Sequence, residues 1–538
     1  MYKKVILTLS GFVFLIFVLY VIKHTSTLPY GDDLDQILWL TSLNTKFGTD
    51  FIKFFFVKVN EHFVLFTRII TYLDAQIFGK SSHSHWIIIG FFLFTISAIL
   101  LIRIFEFTKK SNAFGVLILC LIWFDPRLYE NILWGFTSLQ HNFIVFITLI
   151  CGYLAIFKSD SRSYFLSIML MLFGAFSSGN GLILPILLGF VTFQKSKKEA
   201  VGYIIIFIIL CVLYLQSTNL EDQKTTGLNF LFLIKTTLYF LVFNADFTDG
   251  RLIVLFILLA IFSWGYLILS FINGINKKIS LFVLFVCTFV LASGLMVALR
   301  RNDIQINQIS FGARYNLYSK LFVTVIFGLI VHQINDSKLK YKILILTIAV
   351  TIFSISYWKN VNKAKSFENL SLSNWYNIKH VDYDTKNQQI RWKRHINHQN
   401  TKYFDPFEVK TFKNIQENFT SKEKVDLEII EDTKLILFIN KTLETKHKTV
   451  FVLLKNSDGS ILLNTTQNKN TFGKFLKEAS YYGNGFISYL QKKKCSDLNI
   501  FVENSYTNTG EYEVLLLVKD NENYNCFKTD HKIQIKCQ

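Results

Sequence analysis

Long apolar runs constrain this chain more than any other feature. Between residues 1 and 357 about eleven stretches rich in Phe, Ile, Leu and Val recur, several of them about 18 residues or longer. Hydrocarbon offers a backbone amide no partner, so runs of this length cross a bilayer as helices. The expected fold is a polytopic α-helical membrane protein. Its spans are read at approximately 5–23, 86–107, 113–124, 141–157, 164–177, 181–193, 201–216, 252–273, 279–299, 319–333 and 342–357. Of the 538 residues 51% are hydrophobic, with 55 Phe and 4 Pro, which is more apolar bulk than a soluble protein of this size needs.

The charges between the runs set the sidedness. The net charge of +19 does not imply nucleic acid, because much of it sits in short clusters where topology requires it. With the N-terminus cytoplasmic, five connections fall on the inner side: TKKSN, KSDSRS, QKSKKEA, NGINKK and NDSKLKYK. The outer side then receives residues 24–85, 125–140, 178–180, 217–251, 300–318 and everything after the last span. Residues 229–244 are apolar but carry Lys235, and are read as interfacial or re-entrant. If they span, the later spans invert. The basic stretch from Lys359 to Lys365 also runs against this assignment, and the five inner loops outweigh it. The first run reads as an uncleaved signal anchor. The expected location is the bacterial inner or plasma membrane, multi-pass, with the C-terminal region outside the cytoplasm.

Three regions follow. Residues 1–357 form the membrane domain. Its first outer loop, 24–85, carries two amphipathic surface helices near 50–59 and 63–78. Residues 358–422 read as an irregular polar linker. Residues 423–538 alternate with period two and carry turn signals, which suggests a small extracytoplasmic β-sandwich. Its strands are expected at 425–430, 434–440, 450–455, 461–464, 498–503, 512–519 and 531–535. Cys120, Cys151, Cys211 and Cys287 lie in apolar runs and read as small buried hydrophobes. Among Cys495, Cys526 and Cys537 a disulfide is open, with the pair unassigned.

The side chains with chemistry gather on the outer side. Asp32, Asp33 and Asp35 follow the first span within GDDLD. A charge in hydrocarbon costs roughly 2.5–3.5 kcal/mol even on lenient scales, so these acids belong at the surface or in a wet cavity. They read as a general base for an acceptor hydroxyl. Asp33 and Asp35 also read as ligands for a divalent metal, Mg or Mn. The plainer alternative is a cap on the helix that begins at Ile37 and Leu38. Glu61 and His62 could orient a substrate or the aspartates, and Arg68 could pair with a phosphate. Equally, they fit an N-cap and ordinary amphipathic polarity. Glu130, Trp134 and His141 crowd the next outer loop, where Trp is also a usual interface anchor. Asn180 lies in Ser-Ser-Gly-Asn-Gly, a tight turn or a close backbone approach to a ligand. Arg301, Arg314 and Tyr315 belong to an outer loop whose arginines need an anionic partner. That partner is a lipid phosphate, the aspartates or the headgroups. The sequence carries no phosphate-binding glycine loop, HExxH or CxxC.

Together these features resemble the GT-C superfamily of integral membrane glycosyltransferases, and within it bacterial proteins similar to O-antigen-modifying glucosyltransferases. The resemblance covers roughly residues 1–357. It rests on GDDLD, Asn60-Glu61-His62, Glu130 to Phe136, Ser178-Gly179-Asn180-Gly181 and Arg314-Tyr315, in that order. It implies a GT-C-like fold and transfer of a sugar from a polyprenyl-phosphate donor to a surface glycan, glycolipid or protein acceptor in the cell envelope. The base would be Asp33, Asp32 or Asp35; the triple acid leaves open which. Two other classes compete. A transporter or flippase of lipid-linked sugars would need polar residues through both leaflets, whereas here they cluster on one side. A non-catalytic envelope assembly subunit is the third.

Overall fold

The computed structural model describes residues 2–25, 28–43, 55–59, 62–106, 113–158, 160–193, 195–216, 277–300, 313–334 and 339–380, and in the C-terminal region 427–431, 435–441, 449–455, 460–469, 482–491, 510–520 and 523–535, with a few isolated positions besides. The chain divides into two compact units. The first comprises Met1–Thr25, Thr45–Asp74 and Ser82–Ala364, and the second Ser26–Asn44, Ala75–Ser81 and Lys365–Gln538.

The chain is mostly helical. In order the helices are α1 (Tyr2–His24), α2 (Asp32–Leu43), α3 (Leu65–Phe78), α4 (His83–Ile104), α5 (Ala113–Trp123), the short α6 (Tyr129–Leu133), α7 (Gly135–Phe157), α8 (Ser161–Ala175), α9 (Leu184–Phe193), α10 (Lys197–Gln216), α11 (Lys277–Arg300), α12 (Asn316–Gln333) and α13 (Leu339–His380). Among the described residues, five segments are long and apolar enough to cross a membrane: Lys3–His24, His83–Ile104, Gly135–Phe157, Lys277–Leu299 and Leu339–Ser373. Ala113–Trp123, Ser161–Ala175 and Gly179–Phe193 are shorter apolar helices. This composition is compatible with a membrane protein. The expected span at 252–273 and the segment 229–244 lie almost wholly outside the described residues.

In the first unit the abundant Phe is used as packing material. Phe17 of α1, Phe91 and Phe94 of α4 and Trp123 of α5 meet ring to ring, with Phe94 stacked on Trp123 at 4.9 Å. Trp123 also donates its indole N–H to the Phe94 carbonyl, so one large side chain joins two helices and leaves no orphan donor. Helices approach most closely where a side chain is missing. A Cβ on Gly90 would stand 2.1 Å from Ser138 Oγ, so α4 and α7 cross at a glycine.

The second unit joins α2 to the end of α13, where the Tyr30 ring meets Phe367 edge-on at 4.8 Å. It also contains the β region: β1 (Glu428–Glu431), β2 (Leu435–Asn440), β3 (Thr449–Lys455), β4 (Ser460–Lys469), β5 (Tyr482–Gln491), β6 (Gly510–Asp520) and β7 (Asn523–Ile535). All pairs are antiparallel, in the order β1-β2-β5-β4-β3-β6-β7. The first half of β4 pairs with β3 and the second half with β5, so one strand carries the ladder across. Alternate residues Val450, Val452 and Leu454, Ile461 and Leu463, and Val514, Leu516 and Val518 share one core with Ile436 and Phe438. Period-two patterning sends these to one face.

Several expectations need correction. The irregular linker does not begin at 358, because α13 continues to His380. Its basic stretch from Lys359 ends the apolar run, but no Gly or Pro interrupts the helix. The expected surface helix at 50–59 does not reach its end. Val59 instead forms an antiparallel bridge with His62, and residues 50–54 lie outside the described residues. Strand β5 was not expected, since its glycines and aromatics at 482–486 mask the alternation. The expected strand at 498–503 lies outside the described residues.

Candidate functional site

The three acids open α2, in the second unit. Gly31 turns the chain with φ +55°, and the helix starts at Asp32. Asp33 is fully buried, and its Oδ2 accepts the Tyr30 backbone N–H at 2.9 Å while its own N–H bonds back to the Tyr30 carbonyl at 3.1 Å. That is capping geometry. Asp32 and Asp35, one turn apart on a shared face, are partly exposed.

A second group forms within the first unit, around Arg314. Residues 125–134 connect α5 to α7, and 313–315 form a single 3-10 turn ahead of α12. Two adjacent side chains hold the Arg314 peptide: Glu130 Oε2 accepts its N–H at 2.8 Å, and Asn131 Nδ2 donates to its carbonyl at 2.6 Å. Asn142, on α7, donates to the Asn131 carbonyl at 3.1 Å and so backs the clamp. The guanidinium lies over the Trp134 ring at 5.5 Å and the Tyr315 ring at 5.3 Å. Cation–π contact fixes the plane of the group without consuming its N–H donors. Arg314, Tyr315 and Glu130 are partly exposed, whereas Trp134 is buried.

The histidines complete this group. His141 Nδ1 lies 2.9 Å from the Tyr318 hydroxyl, and Asn180 Nδ2 donates to the same oxygen at 2.8 Å. With the tyrosine proton given to Nδ1, His141 presents an Nε2–H, a neutral donor. The Tyr315 ring stands edge-on to His141 at 5.9 Å, and His141 lies within the field of Arg314 and His62. His62 packs over Gly179, where a Cβ would stand 2.5 Å from Nδ1. The glycine in Ser-Gly-Asn-Gly is therefore a close approach to a side chain. His62, Glu130, Trp134, His141, Asn180, Arg314 and Tyr315 are thus brought together in one unit, while Asp32, Asp33 and Asp35 belong to the other. Glu61 and Arg301 lie outside the described residues.

Arg68 stands apart from this group. It is buried, and its Nη1 donates to the carbonyls of Phe55 and Val57. Burial lowers its pKa to about 10, so it stays charged at neutral pH. It ties down the carbonyls of Phe55 and Val57, where the helical state of Phe55 ends.

A third polar group went unread in the sequence. Asp125 and Lys320 form an ion pair with both side chains 1% exposed. Asp125 Oδ1 also accepts the Arg127 N–H at 2.9 Å and the Ser356 hydroxyl. Tyr20 donates to the Pro126 carbonyl at 3.2 Å. Burial pushes the Asp125 carboxyl up, and Lys320 and Arg127 with the hydrogen bonds bring it below its usual range. The available signal was Lys320 itself, a lone charge in an apolar run. Tyr318 and Asn142 carried none.

Among the described residues no three His, Cys, Asp or Glu side chains group to hold a metal ion, and Asp33 already gives an oxygen to Tyr30. Comparison with protein-family models, curated proteins and solved structures finds no match to this chain.

Proposed function

We propose that this chain is a membrane glycosyltransferase of GT-C type, moving a sugar from a polyprenyl-phosphate donor to a glycan, glycolipid or protein acceptor at the outer face of a bacterial plasma membrane. In this reading it has about eleven spans, and the C-terminal region is an extracytoplasmic β-sandwich. The observation that carries it is the Arg314 group. A partly exposed arginine is held by its own peptide and lies over two aromatic rings, with His141 close by, an arrangement suited to a phosphate head.

The acceptor hydroxyl attacks the anomeric carbon and its proton passes to a carboxylate, for which Asp33 is the first choice over Asp32 and Asp35. The bond from the anomeric carbon to the phosphate oxygen breaks with inversion, and polyprenyl phosphate leaves. Arg314 offsets the charge that grows on the leaving oxygen. The acids enter through the resemblance and are tested independently. Asn at position 33 still accepts the Tyr30 N–H and still caps. Asp33→Asn should therefore insert and purify as the parent does, yet lose about 10²–10⁴ in transfer rate. Parent rates in Asn variants at all three positions would end the catalytic reading of the acids.

One observation favours the transporter reading. An ion pair buried among apolar helices, Asp125–Lys320, is the kind of feature found along ion and substrate pathways. Transport of a lipid-linked sugar into sealed vesicles that depends on Lys320, with no transfer product, would support it.

A further inference from the structure

One buried side chain of α2 has no evident reason to be polar. Gln36 is fully buried, and among the described residues neither its Nε2 nor its Oε1 finds a hydrogen-bond partner. A buried amide left in that state is costly, and Leu or Met would fill the same space without cost. The helix already buries Ile37, Trp39 and Leu40 as its apolar share. The position of Gln36 matters. It follows Asp32 by four residues and Asp33 by three, so all three share a helix face. Residues three and four apart stand one turn away on the same face, so Gln36 belongs to the turn next to the one that bears the two carboxylates.

We propose that Gln36, with Asp32 and Asp33, forms a site for the hydroxyls of a sugar on the first turns of α2. The amide needs an acceptor for its NH2 and a donor for its oxygen. A pair of neighbouring hydroxyls supplies both. Carboxylates beside it accept further hydroxyl protons. The choice of a sugar as the source of the hydroxyls rests on the glycosyltransferase reading. The site itself rests on the orphaned amide and the face it shares.

The test separates an amide kept for binding from one kept for folding. Full-length protein in detergent is compared with Gln36→Met by thermal unfolding and by transfer from a panel of polyprenyl-phosphate hexoses. Thermal shifts of both are also recorded with free glucose, galactose and mannose, and with Mg²⁺ alone. Expected is a higher melting temperature for Gln36→Met together with a loss of roughly tenfold or more in kcat/KM, on the scale of an unmade hydroxyl contact. A sugar-induced upward shift should appear in the parent and vanish in the variant. A variant less stable than the parent, or one with parent transfer, overturns the proposal. So does a parent stabilised by Mg²⁺ through Gln36 and by no sugar. If the parent transfers no hexose, the glycosyltransferase reading fails. The sugar-induced shift then decides the site alone, and its absence from both proteins overturns the site too.

Discussion

The two charged groups of the first unit are built on opposite plans. Asp125 and Lys320 are sealed: each is 1% exposed, and the carboxylate is further tied to Ser356 and to the Arg127 N–H. Arg314 is open. Its peptide is clamped by Glu130 and Asn131, while its guanidinium rests on aromatic faces and remains partly exposed. In the first group the charges are the structure. In the second, the peptide is held and the side chain lies over two rings. A sealed pair fits a structural role, and under the proposed function the partly exposed arginine meets the donor phosphate.

The largest expected effect comes from breaking the closed pair. Lys320→Met strands a carboxylate in an apolar interior and should cost about 3–5 kcal/mol, read as a steep drop in melting temperature in detergent. The double variant Lys320→Met/Asp125→Asn should recover most of it, because neither charge is then left alone. Acid gives an independent check. A carboxyl held below its usual range binds fewer protons folded than unfolded. The stability it lends is whole above the unfolded value of about 3.9 and drains away as pH falls through the folded one. The parent should show this acid loss and the double variant should lack that component. A single variant as stable as the parent would mean the pair contributes nothing, and the comparison would collapse.

The open cation should behave in the reverse manner. Arg314→Lys keeps the charge and the backbone clamp but loses the planar fork. The expected loss is about 1.5–3 kcal/mol of phosphate binding, roughly ten- to a hundredfold in transfer, with little change in melting temperature. A large stability loss with proportionate activity would make Arg314 a second structural charge.

The residues that sequence made legible are those whose type is unusual for their setting. An arginine between apolar runs, a histidine near the start of one and a Gly-Asn-Gly turn stand out in an apolar chain, and His62, His141, Asn180 and Arg314 do come together. The partners that organise them do not stand out. Tyr318 is one of 24 tyrosines, and its two hydrogen bonds span 177 and 138 residues. Such pairings depend on how helices stack, which local pattern does not encode. Helix limits failed for a related reason: hydropathy ends α13 near 357, whereas the helix, with no Gly or Pro to stop it, runs on to His380. Sequence left two readings of Arg68 open because a buried arginine bonded to carbonyls and an exposed one bonded to phosphate look alike in it.

The smallest effect tests whether the clamp is only a clamp. Glu130 meets Arg314 through a backbone N–H, and Gln offers an oxygen at the same place. Glu130→Gln should therefore lose less than about 1 kcal/mol, a few-fold in transfer at most, since an acceptor remains and only charge assistance goes. Glu130→Ala leaves the Arg314 N–H without its acceptor and should lose more, about 1–3 kcal/mol, expressed as a fall in kcat/KM. The ratio of the two variants carries the information. If Gln is as damaging as Ala, the negative charge of Glu130 is what matters. A partly exposed carboxylate next to the phosphate site would then be a candidate acid or base in its own right, and the open group would hold chemistry as well as binding.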